Sequence, residues 1–158
     1  MRVLRGHQVR VLVLAAVVVG LDQFTKALAL QHMNPGEALP LLPGLLQRRL
    51  VFNTGAAFSL FTAATPLLGV VSLLVALGLV IWLLRSGPLR FWQGLGVAVL
   101  LGGAIGNGLD RWRLGTVVDF IELVPVQFPI FNVADVAINL AVLFLLLDLL
   151  RPHGTHQG

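Results

Sequence analysis

The chain contains no cysteine. This absence excludes disulfides, thiolate catalysis, cysteine-ligated metal and acylation of the chain itself, while leaving the compartment open. Charge is scarce as well, with 11% of 158 residues charged and seven acids in all. Serine is represented by Ser59, Ser72 and Ser86, and histidine by His7, His32, His153 and His156, mostly in the tails. A Ser/His catalytic arrangement therefore has poor raw material. In place of these groups the chain is 57% hydrophobic, with a mean hydropathy of +0.90, which lies outside the balance of soluble domains and marks a membrane protein.

Four stretches approach the roughly 20 apolar residues that a membrane-crossing helix needs, at about 11–30, 66–84, 91–109 and 134–150. Arg2, Arg5 and Arg10 ahead of the first run resemble the start of a signal peptide. No convincing small-residue cleavage site follows, so the expectation is an uncleaved first helix. The net charge of +4 does not argue for nucleic acid, because the basic residues sit in short membrane flanks. Arg2, Arg5, Arg10, Arg85, Arg90 and Arg151 fall on one side, and Arg48, Arg49, Arg111 and Arg113 on the other, a bias of six to four. The positive-inside rule then predicts cytoplasmic termini, with segments 31–65 and 110–133 facing outward.

The outward segment opens with the turn signals Asn34-Pro35-Gly36 and Pro43-Gly44, and Leu50, Val51 and Phe52 favour strand. A small extracytoplasmic sheet lying on the membrane is expected. In span three, Gly94, Ala98, Gly102 and Gly106 form a small-residue stripe suited to close helix packing.

Ionisable groups at membrane depth are costly and each calls for an explanation. Asp22 and Lys26 stand four apart on span one and can pair. That pair reads as a self-neutralising anchor near the outer interface, with Lys26 snorkelling. Asp110 and Arg111, just after Asn107, are adjacent and so bind different neighbours in a polar network. Asn132 is placed as an N-cap, with Asp135 completing a capping box. Taken singly, Asp135 is a capping acid and Asp119 an interfacial loop acid. Together, at the ends of adjacent spans, they can form a pair that shares a proton, the chemistry of an aspartic protease. Metal binding by the same acids is the competing reading, although no histidine accompanies them and hard cations want more oxygen ligands.

Five motifs in one order carry a resemblance: Asp22-Gln-Phe-Thr-Lys26, Asn53-Thr-Gly-Ala-Ala-Phe58, Gly102-Gly-Ala-Ile-Gly-Asn107 followed by Asp110-Arg111, Val117-Val-Asp-Phe120, and Phe131-Asn-Val-Ala-Asp135. The chain resembles the lipoprotein signal peptidases, or signal peptidases II, of the bacterial inner membrane. The resemblance implies an all-α membrane protein of four transmembrane helices in a single domain over 1–158, with a small extracytoplasmic β-cradle and a short outer helix. It implies an aspartyl endopeptidase acting on diacylglyceryl-modified prolipoproteins, with no cofactor and no metal, in contact with membrane lipid. Its catalytic dyad falls on Asp119 and Asp135, and its substrate-binding or supporting residues on Asp22, Lys26, Asn53, Asn107, Asp110, Arg111 and Asn132. No oligomer is implied. Gly108 departs from the family, which usually has a larger apolar residue there, and looser packing is expected at that point. Two other classes compete, a small transporter with acids along a relay, and a noncatalytic scaffold. The acids here gather toward one face, with Asp148 alone near the other, and the scaffold leaves the paired acids unexplained.

Overall fold

The computed structural model describes residues 4–55 and 65–151. Ala56, Ala57 and Phe58 of the second motif, Ser59, His153 and His156 lie outside the described residues. The elements in chain order are α1 (Gly6–His32), β1 (Ala38–Leu42), β2 (Leu46–Asn53), α2 (Thr65–Arg85), α3 (Phe91–Leu114), β3 (Val117–Leu123) and α4 (Val133–Leu150).

The outer faces of α1, α2 and α4 carry large apolar side chains. Val13, Val17, Leu21 and Phe24 of α1, Leu67, Leu74 and Leu77 of α2, and Val142, Leu146 and Leu149 of α4 are all exposed. Such apolar outer faces are stable against lipid chains and not against water. By length and apolarity, α1, α2 and α4 can each cross a membrane, so three helices meet that test where the sequence led to four. The fourth, α3, falls outside it because its glycines lower its apolarity and Asn107, Asp110, Arg111 and Arg113 make its end polar. It is also longer than the apolar run 91–109, continuing to Leu114 before Gly115 stops it in a left-handed conformation at φ 72°. Asp110 and Arg111 are therefore helical residues and not loop residues.

α3 is the central helix, packing against α1, α2 and α4. Its glycines face different neighbours. A Cβ at Gly102 would lie 2.6 Å from Val18 Cβ and 3.0 Å from the Ala15 carbonyl oxygen of α1. One at Gly103 would lie 2.7 Å from the Ala134 carbonyl oxygen of α4. One at Gly108 would lie 3.1 Å from Ser72 Cβ of α2 and 3.6 Å from the Trp112 ring. The looser packing expected at Gly108 is thus not found, because α2 moves in against α3 and Trp112 covers the gap. Asp148, expected apart from the other acids, lies near the far end of α4 and pairs there with Arg90, the N-cap residue of α3.

The sheet is antiparallel in the order β1-β2-β3. β2 contains the Leu50–Phe52 run expected to be strand, and the β1–β2 hairpin turns at Gly44, whose φ of 77° favours glycine. The third strand comes from the other connection, after α3. Val51 stands opposite Asp119 and Asn53 opposite Val117, so β2 sets the position of the strand that bears Asp119. Leu50 and Val118 are buried with Ala29 of α1, which fixes the sheet to the end of the bundle.

The glycine contacts predict a specific pattern of stability. Gly102→Ala and Gly103→Ala should each cost about 1–3 kcal/mol from overpacking against backbone, whereas Gly78→Ala, with nothing within 4 Å of its Cβ, should be neutral or slightly stabilising. Thermal unfolding of the three variants in detergent checks the ranking.

Candidate active site

The site begins with the backbone at the start of α4. Asn132 caps this helix, its Oδ1 accepting from the Asp135 N–H at 3.0 Å, while Asp135 Oδ2 accepts from the Asn132 N–H at 3.1 Å. The capping box read from sequence is present. It fixes the Asp135 carboxylate at the mouth of the helix, where the helix dipole favours a negative charge. The next free amide, of Ala134, donates to Asp22 Oδ1 of α1 at 2.9 Å, across 112 positions of sequence.

Asp119 lies on β3 and is buried. Its Oδ2 accepts from Asn53 Nδ2 at 2.9 Å and its Oδ1 from Asn132 Nδ2 at 2.7 Å. Asp135 Oδ1 accepts from Asn107 Nδ2 at 2.8 Å. Asn107 Oδ1 in turn accepts from Asn132 Nδ2 at 3.1 Å and from Lys26 Nζ at 3.0 Å. Three carboxamides thus tie the two carboxylates into one network.

Behind them lies Lys26, 2% exposed, with Asp22, 0% exposed. Its ammonium reaches Asp22 Oδ2 and Asp110 Oδ2, each at 2.9 Å, as well as Asn107. The pair expected at i, i+4 exists, but Lys26 does not snorkel; it turns inward and all three of its protons have acceptors. Asp110 and Arg111 bind different neighbours. Asp110 Oδ2 also accepts from the Val118 N–H at 3.0 Å, and Arg111 donates to the carbonyl oxygens of Asn107 and Gly55 at 3.3 and 3.4 Å. Gln23, to which sequence assigned no role, donates to Asp22, to Asp110 and to the Gly106 carbonyl oxygen. Its signal was a carboxamide inside an apolar run, one residue after Asp22. Gly106 does more than bring helices together, since a Cβ there would lie 2.6 Å from Asp22 Oδ2.

Asp119, Asp135, Asn53, Asn107 and Arg111 line one cavity of about 650 Å³. Asn132 stands behind its wall, fully buried. Phe128, Ile130, Ile138, Leu140 and Leu143 form an apolar side of the cavity along the last loop and α4. Sequence gave no assignment to these lining residues, which only the approach of loop and helix brings together. The proton affinity of Asp119 is raised foremost by burial and then by the charge of Asp135. Hydrogen bonds from Asn53 and Asn132, and the charge of Lys26, oppose the rise, and the pKa is pushed up from 3.8 to about 7. Among the described residues no group of three or more acids and histidines is arranged to hold a metal ion.

Two carboxylates in a partly apolar cavity at the end of a membrane helix bundle, one of them able to keep its proton near neutrality, define a membrane-embedded site equipped for acid–base chemistry. Residues 14–151 match the family model described as signal peptidase (SPase) II. The chain belongs to the signal peptidase II family, whose members are aspartic-type peptidases. It is 58% identical over 135 residues to the lipoprotein signal peptidase of Parasynechococcus marenigrum (strain WH8102), covering 85% of each chain. It is 52% identical over 147 residues to that of Synechococcus sp. (strain RCC307), covering 92% of this chain and 97% of the other. A solved structure described as a bacterial membrane enzyme superposes with a TM-score of 0.83 at 28% identity, over 89% of this chain and 87% of that one.

Two predictions follow from this geometry. Lys26→Met leaves Asp22 and Asp110 buried without their cation and should cost about 3–5 kcal/mol, read as a fall in the thermal midpoint. The second concerns pH. Between the ordinary carboxyl pKa of 3.8 and about 7, the folded state holds a proton on Asp119 that the unfolded state has released. Stability from this group should therefore fall as pH rises across that window and level off above it. The Asp119→Asn variant should lose this component of the slope, which thermal midpoints measured from pH 4 to pH 8 test.

Proposed function

We propose that this protein removes the signal peptide from diacylglyceryl-modified prolipoproteins, cutting before the lipidated cysteine, with Asp119 and Asp135 as its catalytic dyad. The observation that carries the reading is the pair of carboxylates on one cavity wall, each oriented by carboxamide donors, with Asp119 able to hold a proton near pH 7. In the reaction, the ionised member of the dyad takes a proton from water as the water oxygen bonds to the carbonyl carbon of the residue before the modified cysteine. The protonated member gives its proton to the carbonyl oxygen. Collapse of the tetrahedral intermediate breaks the C–N bond, one of its two hydroxyl groups returning a proton to the dyad as the proton taken from water passes to the departing amine. One water is consumed and the dyad returns to its single shared proton.

The remaining site residues have positioning or binding roles. Asn53, Asn107 and Asn132 aim the carboxylates, and Asp22, Lys26 and Asp110 hold the elements that bear them. Arg111, on the cavity wall with its Nε buried and unpartnered, is a donor available to substrate carbonyl oxygens. The signal segment lies along the apolar side formed by α4 and the 128–131 loop, where protein can cover the extended backbone near the scissile bond. The acyl chains stay in lipid.

The topology in this reading has four spans. α3, at 24 residues about 36 Å long, crosses with the other three, shielded by them from lipid. The arginine bias puts both termini in the cytoplasm and the dyad toward the outer face of the inner membrane.

The decisive experiment is cleavage of a diacylglyceryl-modified prolipoprotein by purified wild type, Asp119→Asn and Asp135→Asn. Both variants should lose turnover by several orders of magnitude while keeping a cooperative thermal transition, and substantial residual turnover in either folded variant refutes the dyad. Wild-type activity should persist in chelator. Proteoliposomes should show no proton or ion flux, whose presence would favour a transport role.

A further inference from the structure

A second cavity, of about 340 Å³, lies between the first turns of α1 and α3, at the end of the bundle opposite the dyad. Its polar lining is entirely of groups that are or can become cationic, His7, Arg10 and Arg90, and no carboxylate lines it. Asp148 of α4 engages Arg90 from the side. Arg10 forms no ion pair among the described residues, and His7 Nε2 is buried without a partner.

The surrounding backbone strengthens the demand for an anion. Helix N-termini carry partial positive charge and are ordinarily complemented by acids in the first turn or by a side-chain cap. Here α1 and α3 both begin beside the cavity, with Arg5 and Arg90 at their N-cap positions. Neither N-cap side chain caps its own helix, although Gln8 Oε1 accepts from the Arg5 N–H at 2.9 Å, and neither first turn holds an acid. Two positive helix ends, the Arg10 guanidinium and an unpartnered imidazole nitrogen therefore converge with no carboxylate in the lining, while Asp148 engages Arg90 from the side. The rest of the lining is apolar, from Val11, Leu14, Leu89 and Leu95.

We propose that this cavity binds an anionic phospholipid, its phosphate held by Arg10 and His7 and one acyl chain lying along Leu14 and Leu95. A soluble anion would satisfy the charges but would leave the apolar wall uncovered. A zwitterionic lipid would cover the wall and bring its own cation to a cationic pocket. Basic pockets between membrane helices recognise anionic headgroups by this combination of charge and apolar surface.

Native mass spectrometry of the full-length protein in mixed phosphatidylglycerol and phosphatidylcholine micelles tests the assignment. Wild type should retain phosphatidylglycerol preferentially, and Arg10→Gln should reduce that preference by roughly fivefold. Arg113→Gln, at the other end of the bundle, should leave it unchanged. Gly94 lines the cavity, and a Cβ there would meet nothing closer than Val11 Cγ2 at 3.8 Å. Gly94→Leu should therefore fill the space and displace the lipid with every charge still in place. Equal retention of the two lipids by wild type, or an undiminished preference in both Arg10→Gln and Gly94→Leu, overturns the proposal. Displacement of the lipid by millimolar inorganic phosphate overturns it in favour of a soluble-anion site.

Discussion

The Lys26 ammonium is the group on which the arrangement of the site depends. An amine buried this deeply is unfavourable unless each of its protons finds an acceptor and its charge a counter-charge. Its three acceptors are Asp22, Asp110 and Asn107, and each has a second task on an element that carries a catalytic candidate. Asp22 caps the Ala134 amide at the head of α4, Asp110 holds the Val118 amide next to Asp119, and Asn107 donates to Asp135. Fixing one cation thus fixes the start of α4, the start of β3 and the end of α3 relative to α1.

Around the dyad itself the network changes from charged groups to carboxamides. Asn53, Asn107 and Asn132 donate to carboxylate oxygens without adding a titrating charge of their own. They orient the acids in either protonation state of the pair, and Asn53 and Asn132 partly offset the burial that raises the proton affinity of Asp119. A lysine or arginine at the same places would orient the acids equally well but would hold both of them ionised. The cation is set one residue further back, where Asn107 separates Lys26 from Asp135.

Local features of this architecture were legible in the sequence. The apolar runs located the helices, the Leu50–Phe52 run located β2, and Asn132 with Asp135 announced the cap. The four-residue spacing announced the Asp22–Lys26 pair. What could not be read depends on how helices rotate and cross. The bond from Ala134 to Asp22 joins groups 112 positions apart, and nothing in either local pattern encodes it. Lys26 looked like a snorkelling residue because its spacing from a helix end permits that, whereas its inward turn is decided by Asp110 and Asn107 on α3. The pairing of Asp148 with Arg90 was not legible either, because Arg90 lies in a different connection. The sheet likewise draws its third strand from beyond two further helices, so only the strand nearest the turn signals was foreseen.

The glycines of α3 and the asparagines of the site express one constraint. Asparagine has a short side chain, and Asn107 must touch Lys26 on α1 and Asp135 and Asn132 at the head of α4 at the same time. Hydrogen bonds of this kind weaken steeply beyond about 3.2 Å, so the three helix backbones must approach more closely than large side chains permit. Gly102 and Gly106 allow that approach toward α1, and Gly103 allows it toward α4. At Gly106 the space is occupied by the Asp22 carboxylate itself. The low apolarity that sets α3 apart from the other helices is therefore a consequence of its position: a helix that must bring short polar groups to both neighbours cannot also carry bulky side chains between them.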